Sequence, residues 1–418
     1  MKQTLLTIFT IFSGFLTGQT LNIGVITDMH YLSEKLMDGG YAVDNYVFAG
    51  GRNIKDVPAV LDKVIDEYLH SNIEVLLICG DITKDGEKQS HTDFVKKLKP
   101  LQDKGVRIFA IPGNHDINIP NAVEFRGNKT FPVPNVSPEE FSDIYASCGY
   151  KGALKYDASS LSYVAALNNK TWLLAIDAAK YTDGASSSGR ILPETEKWIV
   201  DVLDEAREKG IQVIGMMHWG LTEHIMYQSV VFGDYLVGDW ERLRTLFADK
   251  GMKAVFTGHF HANDITAFTS GEGNTIYDIE TGTLAAYPFA YRFVELDAEG
   301  MNITTKNVTS IPSNPNLAAD SKKLIRQLAH KQAEGKLKKM NPDFPAEISA
   351  RFAEVLSQIF VLHAGGDEQM DDHLKQLIEN LTHAMGNPDE DMDEMQLDFP
   401  PADNNTYLPM GKCANLKI

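Results

Sequence analysis

Eight residues in this chain could act together: Asp28, His30, Asp81, Asn114, His115, His218, His259 and His261. Each follows closely on an apolar run, at the point where a strand would end. Carboxylates, an amide oxygen and imidazoles suit divalent first-row cations such as Zn, Mn or Fe better than Ca or Mg. No cysteine joins them, which argues against a thiolate zinc ribbon. With His115 set aside, seven potential ligands exceed the needs of one ion. Two ions sharing one carboxylate, with about four protein ligands each, account for the number. Cations about 3.5–4 Å apart suit in-line displacement at phosphorus, one preparing the attacking water and both stabilising charge. His115 could carry a proton near neutral pH.

Taken singly, each residue has an ordinary explanation. An Asp at a strand end commonly caps a turn, and a His after a buried strand commonly satisfies a hydrogen bond. His259-Phe260-His261 is stronger, because alternate residues of an extended segment point the same way. Recurrence after successive strands favours a constellation.

Those strands are legible from the apolar pattern. Leu21–Thr27, Val75–Cys79 and Ile108–Ile111 read as strands, separated by helices starting at Val57 and near Ser90. Strand, helix, strand, helix, strand implies parallel strands with their carboxyl ends on one rim, where ligands bind in open α/β sheets. Ser162–Leu167 and Thr171–Asp177 read as a hairpin, Pro193–Lys209 as a helix, and Ile211–Met217 as a buried strand ending at His218. A helix over Trp240–Asp249 and a strand over Ala254–Thr257 lead to Gly258-His259. Strands at Thr275–Ile279 and Phe293–Leu296 are expected to run antiparallel and close the domain near Val308.

Two stretches without clear period, Tyr31–Asn53 and Ile117–Tyr150, read as loops that shape a pocket. Arg52 reads as a solvated loop arginine that could alternatively grip a phosphate, and His224 is a similar outside candidate. Ser310–Pro315 makes a linker. Beyond it, Ala318–Lys339, Pro345–Leu362 and Gln369–Met385 read as helices, followed by an acidic, flexible tail from Pro388. The expected organisation is a leader over 1–18, a catalytic domain over 19–309, and a C-terminal helical extension with an acidic tail over 310–418.

The chain has 418 residues, 43% hydrophobic and 23% charged, which is ordinary for a soluble globular protein. Its net charge of −18 offers no basic surplus for duplex nucleic acid. Met1-Lys2-Gln3 followed by an apolar run from about Leu5 to Leu16 matches a secretory signal peptide, with the mature chain starting near Gln19. The run is short for a transmembrane anchor. Export to a periplasmic or extracellular space is therefore expected. Cys79, Cys148 and Cys413 are too few for a disulfide framework, although Cys148 and Cys413 could pair.

Asp28-x-His30, Gly80-Asp81, Gly113-Asn114-His115-Asp116, His218 and Gly258-His259-x-His261 resemble the five ordered motifs of the calcineurin-like metallophosphoesterases. The resemblance covers roughly residues 21–300. It implies an α/β fold of the four-layer α/β/β/α sandwich type with two metals at the strand ends. By this likeness Asp28, His30, Asp81 and His261 hold one metal. Asp81, Asn114, His218 and His259 hold the other, with Asp81 bridging. The resemblance further implies a metal-bridging hydroxide attacking the phosphorus of a small-molecule phosphomonoester or phosphodiester, with His115 aiding the leaving group. Related protein phosphatases carry an Asp three residues after the bridging Asp, and purple acid phosphatases carry a Tyr ligand there. This chain has Lys84, so a tyrosinate-free site is expected, and His115 needs another partner, Asp85 or Asp116. The pattern is closer to the phosphodiesterase branch. A different reading is a catalytically silent, metal-stabilised binding module that works through its C-terminal helices.

Overall fold

The computed structural model describes residues 20–181, 186–226, 228–340, 345–385 and 397–411. The expected leader, most of the acidic run after Pro388 and Cys413 lie outside them. Cys79 and Cys148 are buried free thiols.

The first half of the chain runs β1 (Leu21–Ile26), α1 (Tyr41–Gly50), α2 (Val57–Leu69), β2 (Val75–Cys79), α3 (Lys88–Asp103) and β3 (Arg107–Ile111). It continues through β4 (Val123–Arg126), β5 (Lys129–Pro132), α4 (Pro138–Ile144), β6 (Lys155–Tyr156), β7 (Tyr163–Ala166) and β8 (Thr171–Ile176). The second half runs α5 (Pro193–Glu208), β9 (Gln212–Met217), α6 (Gln228–Val231), α7 (Trp240–Asp249), β10 (Met252–Thr257), β11 (Asp264–Thr269) and β12 (Thr275–Glu280). It ends with β13 (Ala290–Leu296), β14 (Gly300–Asn307), α8 (Leu317–Met340), α9 (Ala346–Gly365), α10 (Asp372–Met385) and β15 (Asn405–Pro409).

Apart from β4 and β5, which pair only with each other, these strands form two large sheets. One has the order β15-β14-β13-β1-β2-β3, and the other β11-β12-β10-β9-β8-β7-β6. Within each, β1-β2-β3 and β8-β9-β10-β12 are parallel, so their carboxyl ends share a rim. The unbroken apolar run of β2 is buried at every position, as a strand covered on both faces must be. Leu77 and Ile78 of one sheet share a core with Ile214, Met216 and Phe256 of the other. Trp172, Met217 and Val255 face outward into a second core formed with Ile199, Leu203 and Phe247 of α5 and α7. With α2 and α3 on the far side of the first sheet, the layers are α/β/β/α, as the motifs imply.

The structure corrects the sequence reading in four places. The stretch after Tyr31 is not all loop. Gly40 precedes α1, and Gly51 at φ 74° lets its N–H bond the Val47 carbonyl and close the helix. Val43 is buried there beside Leu36, Ile54 and Phe125, and Tyr46 and Val47 pack against this small core. The excursion after Ile117 contains the β4–β5 hairpin and α4, the latter started by a Ser137–Glu140 capping box. β12 and β13 do not pair. β12 pairs β11, whereas β13 joins β1 and β14 in the other sheet. Finally, residues 405–409 form an edge strand on β14 rather than a flexible tail. Short segments such as these are fixed by long-range partners, which periodicity does not register.

The three C-terminal helices fall where the apolar pattern puts them. No helix among the described residues is long and apolar enough to cross a membrane.

Candidate metal centre

The rim is built by turns that the chain adopts only under constraint. Asp28, His30, Asp81, His259 and His261 all have positive φ, between 41° and 75°. For residues with a Cβ this costs roughly 1–3 kcal/mol each, and such strain concentrates at functional sites. The turns after β1 and β2 are clipped together by backbone bonds, Asp28 N–H to the Gly80 carbonyl at 3.1 Å and His30 N–H to that of Asp81 at 3.0 Å. Glycine is required where two turns touch. A Cβ on Gly113 would lie 2.2 Å from Asp81 Oδ1, and one on Gly258 2.4 Å from Asp28 Oδ2.

The side chains then converge. Asp28, His30, Asp81 and His261 form one group whose ligand atoms lie within 4.8 Å of one another, and Asp81, His218 and His259 form a second. Asp81 belongs to both. Its Oδ2 lies 3.6 Å from His30 Nε2, while Oδ1 lies 3.4 Å from His218 Nε2. His30 and His261 meet Nε2 to Nε2 at 3.1 Å, and His261 Nε2 is 3.2 Å from Asp28 Oδ1.

The remaining bonds orient these groups inward. The Cys79 carbonyl accepts from His218 Nδ1 at 2.8 Å, leaving Nε2 to face the site. Asp28 Oδ2 accepts from Thr27 Oγ1 at 2.6 Å and from the His259 N–H at 2.9 Å, leaving Oδ1 free. Asp28 Oδ1, Asn114 Oδ1, His218 Nε2 and His259 Nε2 are all buried without a hydrogen-bond partner among the described residues. Buried polar atoms left without partners are costly, and Asp28 Oδ1, His218 Nε2 and His259 Nε2 belong to residues grouped around Asp81. The residues present therefore fit a pair of metal ions.

Electrostatics agree with the geometry. Burial opposes ionisation of Asp81, yet the neighbouring imidazoles hold its pKa well below the usual carboxylate range. Burial likewise disfavours charge on His218, but Asp81 and Asp28 raise its pKa to about 9. This carboxylate pair calls for positive charge. Burial keeps His259 neutral, with a pKa near 3, and burial together with Arg52 does the same for His30. Neutral imidazoles are the form that ligates metal.

His115 stands beside this cradle, its ring edge-on to His30 with centroids 4.9 Å apart. Its backbone N–H bonds Asp81 Oδ1 at 2.9 Å, which ties it to the shared carboxylate. Its partner is Asp85, whose Oδ1 lies 2.7 Å from Nδ1. Burial lowers its pKa, but the charges of Asp81 and Asp85 and the bond to Asp85 raise it above the ordinary value. Lys84 explains how Asp85 can serve. Its buried ammonium pairs with Asp85 and Glu87 and lies 5.1 Å from the ring centre of Tyr46. Asp116, the other partner considered, is fully buried and instead accepts from the backbone N–H groups of Ile82, Thr83 and Gly113. It staples the turn after β3 to the turn after β2.

Arg52 is half-buried, not a solvated arginine. Its guanidinium lies 3.5 Å from His30 Nδ1 and 3.4 Å from His115 Nε2. His224 is not in the site, being buried beneath it against His363. Tyr235, whose ring lies 4.8 Å from that of His259, forms a wall that the sequence reading missed. It stands in a short turn outside any motif, so only its position in space identifies it.

Residues 21–263 match the family described as calcineurin-like phosphoesterase, more than half of the chain. The chain belongs to that family. It is 43% identical over 56 residues to a probable cyclic nucleotide phosphodiesterase of Vesicomyosocius okutanii, a match covering 13% of this chain and only 23% of that protein. It resembles the crystal structure of a dimetal phosphatase from Danio rerio with a TM-score of 0.51 at 13% identity, covering 69% of this chain and 96% of that one. The latter likeness is one of fold.

Proposed function

We propose that this protein is a metal-dependent phosphoric ester hydrolase acting on a small-molecule phosphate ester. The single observation that supports this most is the shared Asp81 carboxylate, grouped with Asp28, His218 and His259, whose Oδ1 and Nε2 atoms are buried without a partner among the described residues. In this reading Asp28, His30, Asp81 and His261 hold one ion, and Asp81, Asn114, His218 and His259 hold the other. Zn, Mn or Fe suit this donor set. Bound there, the ions supply Lewis-acid charge and a water made nucleophilic near neutral pH.

The chain's own residues do the rest. Arg52 grips a non-bridging phosphate oxygen and neutralises its charge. His115, held through Nδ1 by Asp85, turns Nε2 to the leaving oxygen and donates a proton there. Asp85 is a positioning residue that favours the protonated imidazole. Tyr235 offers an apolar face against which an organic ester group can lie.

Metal-loaded protein assayed against aryl phosphate diesters and monoesters tests this. Turnover of either, lost on chelation, is expected. Absence of turnover of both would favour the silent binding module. The diester is the preferred substrate in this reading, consistent with the partial match to a probable phosphodiesterase. The amino-terminal pattern supports export, and sequencing of secreted protein should start near Gln19.

A further inference from the structure

Beneath the His259–His261 turn lies a second set of buried polar side chains that hydrolysis does not use. His224 follows β9, Asp264 opens β11, Glu280 closes β12, and His363 sits near the end of α9. All four are at least 97% buried. His224 Nδ1 faces His363 Nε2 at 2.8 Å, much as His30 faces His261 on the rim. Ligand atoms of His224, His363 and Asp264 lie within 4.8 Å of one another.

Behind each imidazole stands a carboxylate. Glu368 Oε1 bonds His363 Nδ1, and Glu280 Oε2 lies 2.8 Å from His224 Nε2. Carboxylate-backed imidazoles whose other nitrogens converge are the usual support of a metal-bound histidine pair. Neither oxygen of Glu280 has an aligned hydrogen-bond partner among the described residues. Burial raises its pKa to about 8, and burial also pushes that of Asp264 well up. Arg292 is the neighbouring buried cation, but its N–H groups go to the Thr281 and Thr305 hydroxyls and the Glu280 and Asp403 carbonyls. The pocket thus gathers carboxyl groups with no cation bonded to them, which burial tolerates only when they are protonated or stand beside a positive ion.

We propose that His224, His363 and Asp264 form a third cation site, for a zinc-class divalent ion, fastening α9 to the catalytic sandwich. With the ion on Nδ1, His224 turns its Nε2–H to Glu280. The Phe260 ring packs 4.8 Å from that of His224 and 5.3 Å from that of His363, so the ion braces the turn carrying His259 and His261. The rival arrangement has no metal. There the Gln228 amide, 2.9 Å away, donates to His224 Nε2, His224 Nδ1–H donates to His363, and Glu280 stays protonated.

The site is independent of the proposed reaction and is tested by stoichiometry. Full-length protein is saturated with Zn²⁺, freed of excess by gel filtration, and its zinc per chain measured. Three equivalents are expected for the wild type, two for His363→Gln, and one for Asp81→Ala, which disables the rim. If His363→Gln does not fold, Asp81→Ala/Asp264→Asn decides, since it keeps the shape of Asp264 and is expected to lose that last ion. Equal zinc content in the wild type and His363→Gln, or in Asp81→Ala and its double variant, would overturn the site and favour the metal-free chain. Neither result bears on the rim pair.

Discussion

The two sheets contribute unlike chemistry to one rim. The β1-β2-β3 side supplies every carboxylate of the proposed ligand set, the imidazole His30, the amide Asn114, and the proposed proton donor His115 with Asp85 and Arg52. The β9–β10 side supplies imidazoles alone: His218, His259 and His261. Each side also depends on the other for orientation, since His218 bonds the Cys79 carbonyl and the His259 N–H bonds Asp28. The lesson is that the carboxylates meet three of their four imidazoles only when the sandwich closes.

The sharpest way to break this comparison is Asp81→Ala on the acidic side. Metal analysis and turnover should show both rim ions and all activity lost together, because both groups share that carboxylate. Next in size is His115→Ala. It should retain the rim metals while kcat falls about 10²–10⁴-fold with a substrate whose leaving group is poor. Near-full activity with such a substrate would remove His115 from the acid role and reduce the first sheet to a metal holder. Arg52→Ala should act more gently, raising KM about tenfold with little change in kcat if the guanidinium binds ground state and transition state alike. A fall confined to kcat would instead place Arg52 on the charge that develops during reaction.

The smallest expected effect concerns the scaffold of the acidic side. His91 is buried, donates through Nε2 to the Asp116 carbonyl at 2.9 Å, and accepts at Nδ1 from Tyr145 Oη at 2.9 Å. Burial depresses its pKa to about 4. Its contribution is therefore complete above the unfolded value near 6.5 and fades as pH falls toward 4, where the unfolded chain binds a proton that the fold refuses. The loss amounts to at most about 3 kcal/mol. Urea denaturation at pH 7 and pH 4.5 should show a smaller acid penalty for His91→Gln than for the wild type. An equal penalty in both would assign the acid sensitivity elsewhere.

Much of the core was legible because its rules are local. Alternation and apolar runs mark β1, β2, β3, β9 and β10, and the polar residues that follow them mark the rim. α1 was hidden by its glycines, since Gly39-Gly40 and Gly50-Gly51 read as loop although two of them bound the helix. The pairing of β12 with β11, and of β13 with β1 and β14, depends on which sheet each edge meets, and no local pattern carries that choice.

The sequence by itself determined which residue types stand at the ends of which strands, because hydrophobic period and turn residues act over a few positions. It narrowed the partner of His115 to Asp85 or Asp116 but could not choose. Tertiary structure decided that, by burying Lys84 beside Asp85 and committing Asp116 to three backbone N–H groups. It also brought Arg52 over His115, moved His224 out of the site, and set His363 against His224 across 139 residues of chain. Distances between side chains remote in sequence depend on how whole layers pack, and that is a property of the closed sandwich rather than of any segment within it.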